Sequence, residues 1–178
     1  EISLGLVGSE MCIRDRNCVV PREGWDVIVT QKDGTKIYVE MKNKHNTMNA
    51  ASSQKTYIQM QNQIMQTPND FCFLVEAIAP CSRNIPWGCS VNKIHCEHAH
   101  IRRVSMDQFY AIVTGETTAF FEMCMQLPKT IEKIVRQNRN LTVQKDTVLE
   151  ELQQMHPDLQ IALYQLAFAT YDGFSLLK

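Results

Sequence analysis

Residues 25–42 read WDVIVTQKDGTKIYVEMK, and this stretch decides the fold. Two runs in which apolar and polar residues alternate flank the short polar segment KDG at 32–34. Alternation on both sides of a glycine-containing turn is typical of a β-hairpin. The stretch therefore predicts two antiparallel strands, one face of which packs on a core.

Two registers of this hairpin remain open from the turn alone. A two-residue turn pairs Val27 with Glu40, whereas a three-residue loop with left-handed Gly34 pairs Val27 with Val39 and Asp26 with Glu40. We expect the second register, because a slip by one residue would set valines opposite charged residues on every rung. One face of the hairpin then carries Val27, Val29, Ile37, Val39 and Met41.

The opposite face carries Asp26, Glu40 and Lys42 in the expected register. Two carboxylates side by side on a sheet repel each other, and a divalent cation between them removes that repulsion. Carboxylate oxygens are ligands that suit Mg²⁺. Lys42 follows Glu40 by two residues and so projects from the same face. These residue types fit metal-assisted hydrolysis of a phosphodiester, with water as nucleophile.

The remainder of the chain predicts an α/β domain, a mixed sheet flanked by helices, from the order β-β-α-β followed by helices. The first helix would be a right-handed crossover between parallel strands. The predicted elements are a helix at 51–66 with Ser52 or Ser53 as N-cap, a strand at 71–79, a polar Cys- and His-rich loop at 80–100, a strand at 101–105, a helix from Ser105 to Gly115, a helix at 117–138 interrupted at Pro128, and helices within 146–174.

Residues 1–16 are set aside, because LVGSEMCIRDR at 6–16 resembles the in-frame translation of a sequencing adaptor. The remaining 162 residues carry 16 basic and 16 acidic groups and suit one domain. A generally basic surface is therefore absent, so binding to nucleic acid would depend on local patches. No apolar run approaches a membrane span, and we expect a cytoplasmic protein with reduced cysteines.

The segment HCEHAH at 95–100 raises a zinc hypothesis. The spacing of His95, His98 and His100 is not that of a standard zinc finger, and no Cys-x-x-Cys pair accompanies it. A variable loop is the better interpretation.

The block VEMKNKHNTMNAASSQKTYIQMQNQI at 39–64 resembles the restriction endonucleases that read GGNCC or GGWCC sites, part of the PD-(D/E)xK nuclease superfamily. The resemblance extends over about 17–138, is looser beyond Pro80, and leaves 139–178 as a helical tail. Further segments that resemble this family are Gly24-Trp25-Asp26, LVEAIA at 74–79, IRRVSMDQFY at 101–110 and LPK at 127–129.

The resemblance implies a PD-(D/E)xK core and a type II enzyme that cuts both DNA strands as a homodimer with Mg²⁺. A cytosine methyltransferase is the usual genetic partner. Onto this sequence, Asp26 and Glu40 carry over as metal ligands and Lys42 as the catalytic lysine. Members of the family are longer at the N-terminus, so we expect residues 17–178 to be a truncated nuclease domain.

Two alternatives stay open: a repair or structure-specific nuclease on the same core, and a truncated, non-catalytic remnant that binds DNA. Polar residues that follow the catalytic strand, open the next helix or lie on a later strand are the candidates for DNA contacts. They are Asn43, Lys44, His45, Asn46, Thr47, Gln54, Lys55, Tyr57, Arg102 and Arg103.

Overall fold

The structure, a computed structural model, describes residues 17–44, 48–137, 154–158 and 161–162. Its strands are β1 (Cys18–Val19), β2 (Val27–Thr30), β3 (Lys36–Lys44), β4 (Phe71–Ile78), β5 (Asn84–Pro86), β6 (Cys89–Val91), β7 (Ile94–Cys96) and β8 (Ile101–Ser105). Its helices are α1 (Ala50–Gln66), α2 (Met106–Thr114) and α3 (Ala119–Gln137). Within the described residues, one mixed sheet has the order β1-β2-β3-β4-β8-β5, and helices flank it, which confirms the predicted α/β fold class.

The β2–β3 hairpin has the register expected from its valines. Val27 pairs with Val39 and Val29 with Ile37, while Gln31 N–H donates to the Thr35 carbonyl at 2.8 Å. Gly34 has a φ of +88°, a left-handed conformation that a side chain would disfavour. The three-residue loop is therefore confirmed, and it determines which side chains of β3 face the core.

Helix α1 connects β3 to β4, and these two strands are parallel, with Glu40 paired to Leu74. The helix begins one residue earlier than predicted, because Asn49 rather than Ser52 or Ser53 is the N-cap. The Asn49 side chain accepts a hydrogen bond from Ser52 N–H at 2.8 Å. A short amide side chain directly before the helix satisfies an end N–H group that would otherwise lack a partner.

The sheet separates two cores. The four hairpin residues Val27, Val29, Ile37 and Val39 are buried with α2 and α3 on one face, and Met41 packs against them. On the other face, Tyr57, Met60 and Ile64 of α1 pack on Leu74. Glu40 and Lys42 alternate with Val39 and Met41, so they project on the α1 side of the sheet.

The segment 80–100 is more ordered than the predicted loop, because it contains β5, β6 and β7. Strand β5 joins the edge of the main sheet by pairing with β8. The histidines make local contacts: His100 N–H donates to His98 Nδ1 at 3.1 Å, and the His100 ring lies 4.4 Å from that of Phe71. Among the residues that the structure describes, no group of three or more His, Cys, Asp or Glu side chains could hold a metal ion.

The predicted helix from Ser105 to Gly115 is confirmed, and it ends at Gly115 with a φ of +79°. Helix α3 differs from its prediction, since it continues through Pro128 to Gln137. A proline removes one main-chain hydrogen bond, and the neighbouring turns of a long helix keep its geometry. Most of the predicted tail lies outside the described residues. In the parts of the chain described above, no helix is both long and apolar enough to cross a membrane.

Candidate active site

Asp26 lies where the chain enters β2, and two main-chain contacts position it. Its N–H donates to the Val39 carbonyl at 3.0 Å, and its Oδ2 accepts a hydrogen bond from Met41 N–H at 2.7 Å. The ladder between β2 and β3 ends at Val27 and Val39, so the predicted direct pairing of Asp26 with Glu40 is absent from it. The carboxylate takes the place of a main-chain carbonyl as the partner of Met41.

Contacts from α1 and β3 hold the segment that precedes Asp26. Gly24 has a φ of +95°, and its carbonyl accepts a hydrogen bond from Gln59 Nε2 of α1 at 2.8 Å. The rings of Trp25 and Tyr38 lie 5.5 Å apart. These contacts fix the approach of the chain to β2, so the carboxylate of Asp26 has little freedom to move away from β3.

Glu40 and Lys42 form an ion pair on the face of β3 that is covered by α1. The Lys42 Nζ lies 2.7 Å from Glu40 Oε1, and the side chains of Lys42 and Glu40 keep 30% and 21% of their surface exposed, respectively. A partly exposed pair of this kind contributes about 0–1 kcal/mol to stability. The pair is therefore positioned but weakly held, and a ligand can compete for either member.

Each carboxylate of this site keeps one oxygen available. In the described part of the chain, Asp26 Oδ1 and Glu40 Oε2 have no hydrogen-bond partner, while Oδ2 binds Met41 N–H and Oε1 binds Lys42. Mg²⁺ in proteins is commonly bound by one or two carboxylates together with water and phosphate oxygens. The donor set of Asp26 and Glu40 fits such an ion.

The residues predicted to contact DNA at the end of β3 and directly after it are only partly described. Asn43 is exposed, and Lys44 is the last residue of the strand. His45, Asn46 and Thr47 lie outside the described residues, as does the side chain of Lys44. Their role in binding DNA stays a prediction.

The three candidates on α1 have different surroundings. Gln54 is half-buried and Lys55 is exposed near the start of the helix. Tyr57 is fully buried, its ring lies 5.4 Å from that of Trp87, and burial raises its pKa to about 12. Because Tyr57 shares the buried stripe of the helix with Met60, it is a core residue, and its prediction as a DNA contact is corrected.

The two adjacent arginines of β8 are held by different partners. Arg102 donates to the side chain and the carbonyl of Asn84 and to the Ala99 carbonyl. Arg103 reaches across to β4, where its Nε donates to Glu76 Oε1 at 2.7 Å. Arg102 therefore ties β8 to the neighbouring edge strand, whereas Arg103 lies on the face that carries Glu40 and Lys42.

Glu76 is a charged residue of this face that the sequence interpretation did not single out. It is 1% exposed, and its carboxylate binds both Arg103 and Arg83, whose Nη2 lies 2.5 Å from Oε2. The signal was present, because a glutamate inside the apolar run FCFLVEAIA must find a cationic partner if the run is buried. In the register of the sheet, Glu76 pairs with Lys42.

Comparisons with known proteins show the family of the chain. A sequence model of the family described as Eco47II restriction endonuclease matches residues 5–136, about three quarters of the chain. The type II restriction enzyme Sau96I of Staphylococcus aureus is 30% identical over 124 residues, which cover 65% of this chain and 47% of that protein. The chain thus spans about half the length of this curated relative. No solved structure gives a significant match.

The matched range contains Asp26, Glu40 and Lys42 as well as the buried Glu76. It starts within residues 1–16, whose assignment as an adaptor translation stays a prediction. The sheet with its flanking helices is consistent with a restriction-endonuclease-like fold. The chain belongs to the Eco47II restriction endonuclease family.

Proposed function

We propose that this chain carries the catalytic core of a type II restriction endonuclease, a hydrolase that cuts phosphodiester bonds in double-stranded DNA. Two observations support the proposal: the Asp26 carboxylate binds Met41 N–H of β3, and Glu40 and Lys42, on either side of Met41, form an ion pair. Membership in the family supports the substrate class, and Sau96I is named as a type II restriction enzyme.

In the proposed mechanism, the carboxylates of Asp26 and Glu40 would hold Mg²⁺. When bound, the ion activates water and stabilises negative charge on the phosphate. The main-chain N–H of Met41 keeps the Asp26 carboxylate in place at 2.7 Å. Lys42 supplies a positive charge beside the scissile phosphate, and its contact with Glu40 orients the ammonium before substrate arrives.

We further propose that the enzyme cuts at a short GGNCC-like site and acts as a homodimer. The resemblance of the block at 39–64 to enzymes that read such sites supports the first part. A nearly palindromic site has two-fold symmetry, and a two-fold dimer presents one active centre to each strand. A methyltransferase gene adjacent to this one would be the genetic partner that protects the host DNA.

The test is digestion of plasmid DNA with Mg²⁺, with chelator or Ca²⁺ in parallel reactions. Lys42→Met is compared with Lys36→Met, which removes the same group from an exposed position on the same strand, about 20 Å away at 3.3 Å per residue. We expect discrete Mg²⁺-dependent fragments from the parent and from Lys36→Met, with none from Lys42→Met.

Other outcomes would overturn parts of the proposal. Fragment ends outside GGNCC-like sites would contradict the proposed site. Cleavage of branched DNA without discrete plasmid fragments would favour a structure-specific nuclease. Binding without cleavage by the parent would favour a non-catalytic remnant, and unchanged cleavage by Lys42→Met would remove Lys42 from the mechanism.

A further inference from the structure

A charged cluster of Glu76, Arg83 and Arg103 lies near the carboxyl ends of the parallel strands, outside the proposed metal site. The Glu76 carboxylate is buried and forms two ion pairs, with Arg83 at Oε2 and with Arg103 at Oε1. The main chain of Arg83 is fixed as well: its N–H donates to Ser105 Oγ at 2.9 Å, and its carbonyl accepts from Ser105 N–H at 2.9 Å. The cluster is therefore rigid and prearranged.

The cluster lies on the same face of the sheet as Glu40 and Lys42, and at the same end of the strands. Strands β3, β4 and β8 are parallel, and their register pairs Lys42 with Glu76 and Leu74 with Arg103. Neighbouring strands lie about 4.8 Å apart, so this distance separates the main chain of Glu76 from that of Lys42. Ligands of open α/β sheets bind beyond the carboxyl ends of the strands. Both the cluster and Lys42 lie near that end.

The composition of the cluster favours binding of an anion. One carboxylate and two guanidinium groups have a net charge of +1. Both arginines keep part of their surface exposed, 18% for the side chain of Arg83 and 27% for that of Arg103. In the described part of the chain, the buried Nε of Arg83 has no hydrogen-bond partner. Buried donors are normally satisfied, so within the described residues Arg83 is an incompletely bonded member of the cluster.

We propose that Arg83 and Arg103 form a binding site for a second phosphate of the DNA, next to the phosphate cleaved beside Lys42. Glu76 is the positioning residue that holds both guanidinium groups near the carboxyl ends of the strands. This inference rests on the proposed function. Arginine suits the role, because its planar group makes two parallel hydrogen bonds to phosphate oxygens. Contacts to phosphates set the register of a protein on the duplex.

The test measures binding of the full chain to a labelled DNA duplex in Ca²⁺ as a function of salt. Because Arg103→Met alone leaves Glu76 with one partner, the charge-balanced double variant Glu76→Gln/Arg103→Met is used. We expect the slope of log affinity against log salt to fall by about 0.9 for each phosphate that the variant no longer binds. At fixed salt the affinity should fall about tenfold. Arg103→Lys should keep the slope but bind more weakly.

Lys32→Met is the matched control, because it removes one positive charge from the exposed hairpin loop, at the opposite end of β3 from Lys42. It should leave both slope and affinity unchanged. A loss of folded protein lowers the bound fraction but leaves the salt slope unaltered, so the slope separates a phosphate contact from a structural effect. An unchanged slope in the double variant would overturn the phosphate site.

DNA binding by Glu76→Gln tests the proposed positioning role of Glu76. The variant gains net positive charge, and simple electrostatics predicts tighter binding to DNA. The proposal predicts weaker binding, because the arginines lose their common anchor. Glu76→Asp, which keeps the charge and shortens its reach, should weaken binding also. Tighter binding by Glu76→Gln, or parental binding by Glu76→Asp, would overturn the positioning role.

The same set of proteins separates this inference from the proposed function. If the parent cuts plasmid at discrete sites and the double variant keeps the full slope, the inference fails and the function stands. If the parent does not cut, but its salt slope falls in the double variant, the proposed function fails and the phosphate site is supported.

Discussion

The Glu40–Lys42 pair and the cluster around Glu76 lie on the same face of the sheet and differ in how far their side chains are exposed to solvent. The side chains of Glu40 and Lys42 are 21% and 30% exposed, and within the described residues their ion pair is with each other. Glu76 has a side chain that is 2% exposed and binds two arginines. The first pair can exchange its partner for a ligand at little cost, whereas the second is part of the folded framework.

The difference follows from solvation. A partly exposed ion pair contributes about 0–1 kcal/mol, because water and salt screen both charges. Removal of one partner from a buried pair costs about 3–5 kcal/mol, because the remaining charge is left without water or counter-charge. We therefore propose a catalytic role for Glu40 and Lys42 and a structural role for Glu76.

The largest effect should come from Glu40→Gln, a change that keeps the shape of the side chain and removes its charge. We expect cleavage of plasmid DNA with Mg²⁺ to fall by about 10³-fold or more, since the substitution removes a proposed metal ligand. The free energy of unfolding, measured in urea, should change by less than about 1 kcal/mol. A large loss of stability with retained cleavage would reverse the roles assigned to the two clusters.

The next effect should come from Glu76→Ala, which leaves Arg83 and Arg103 without their buried counter-charge. We expect the free energy of unfolding to fall by about 3–5 kcal/mol, measured by urea denaturation. Glu97→Ala, at an exposed position, is the matched control and should change stability by less than about 0.5 kcal/mol. Equal stability of the two variants would contradict a framework role for Glu76.

A smaller effect concerns Cys72, which lies on β4 four residues before Glu76 and is fully buried. Burial, and to a smaller extent Asp70, raises its pKa from 9.0 to about 12. The unfolded thiol ionises near pH 9, so the contribution of Cys72 to stability is complete below pH 9 and is lost as the pH rises toward 12. Between pH 8 and pH 10 the loss is about 1 kcal/mol.

Urea denaturation of the parent and Cys72→Ala at pH 8 and pH 10 measures this contribution. The variant is less stable at both values, because a side chain is lost from the core, but its stability should fall less between them. An identical fall in both proteins would contradict the raised pKa. The comparison with Glu76 tests whether a buried ionisable group stays neutral when no cation accompanies it.

The smallest effect should come from Asn49→Ala, which removes an exposed and uncharged contact. Loss of the N-cap of α1 should lower the free energy of unfolding by about 1 kcal/mol. Ser52→Ala is the matched control, because Ser52 donates its main-chain N–H and the substitution leaves that donor in place. Urea denaturation distinguishes them, and a larger effect from Ser52→Ala would restore the cap predicted from the sequence.

Local signals explain why the hairpin was predictable in detail. Alternating valines place one face of β2 and β3 on the core, and Gly34 accepts the left-handed conformation of the loop. Both signals act between residues that are close in the sequence. The same alternation predicts that Glu40 and Lys42 share one face of β3, and the ion pair between them confirms that placement.

Signals that need distant partners were predicted less well. The turn alone did not show that Asp26 would bind Met41 N–H through its side chain. Tyr57 was predicted to contact DNA from its place near the start of α1, yet packing against Trp87 buries it. Strand β5 was missed because a segment of three residues shows almost no periodicity in its sequence. Its extended conformation is stabilised by pairing with β8.

By itself, the sequence determined the strands of the hairpin, the face of β3 that carries the charged residues, and the helix that ends at Gly115. These depend on alternation and on the conformational freedom of glycine, which are properties of short segments. Only the tertiary structure decided that Glu76, Arg83 and Arg103 meet beside Lys42. A buried charge is stable only where partners from other elements reach it, and those partners come from parts of the chain that folding alone brings together.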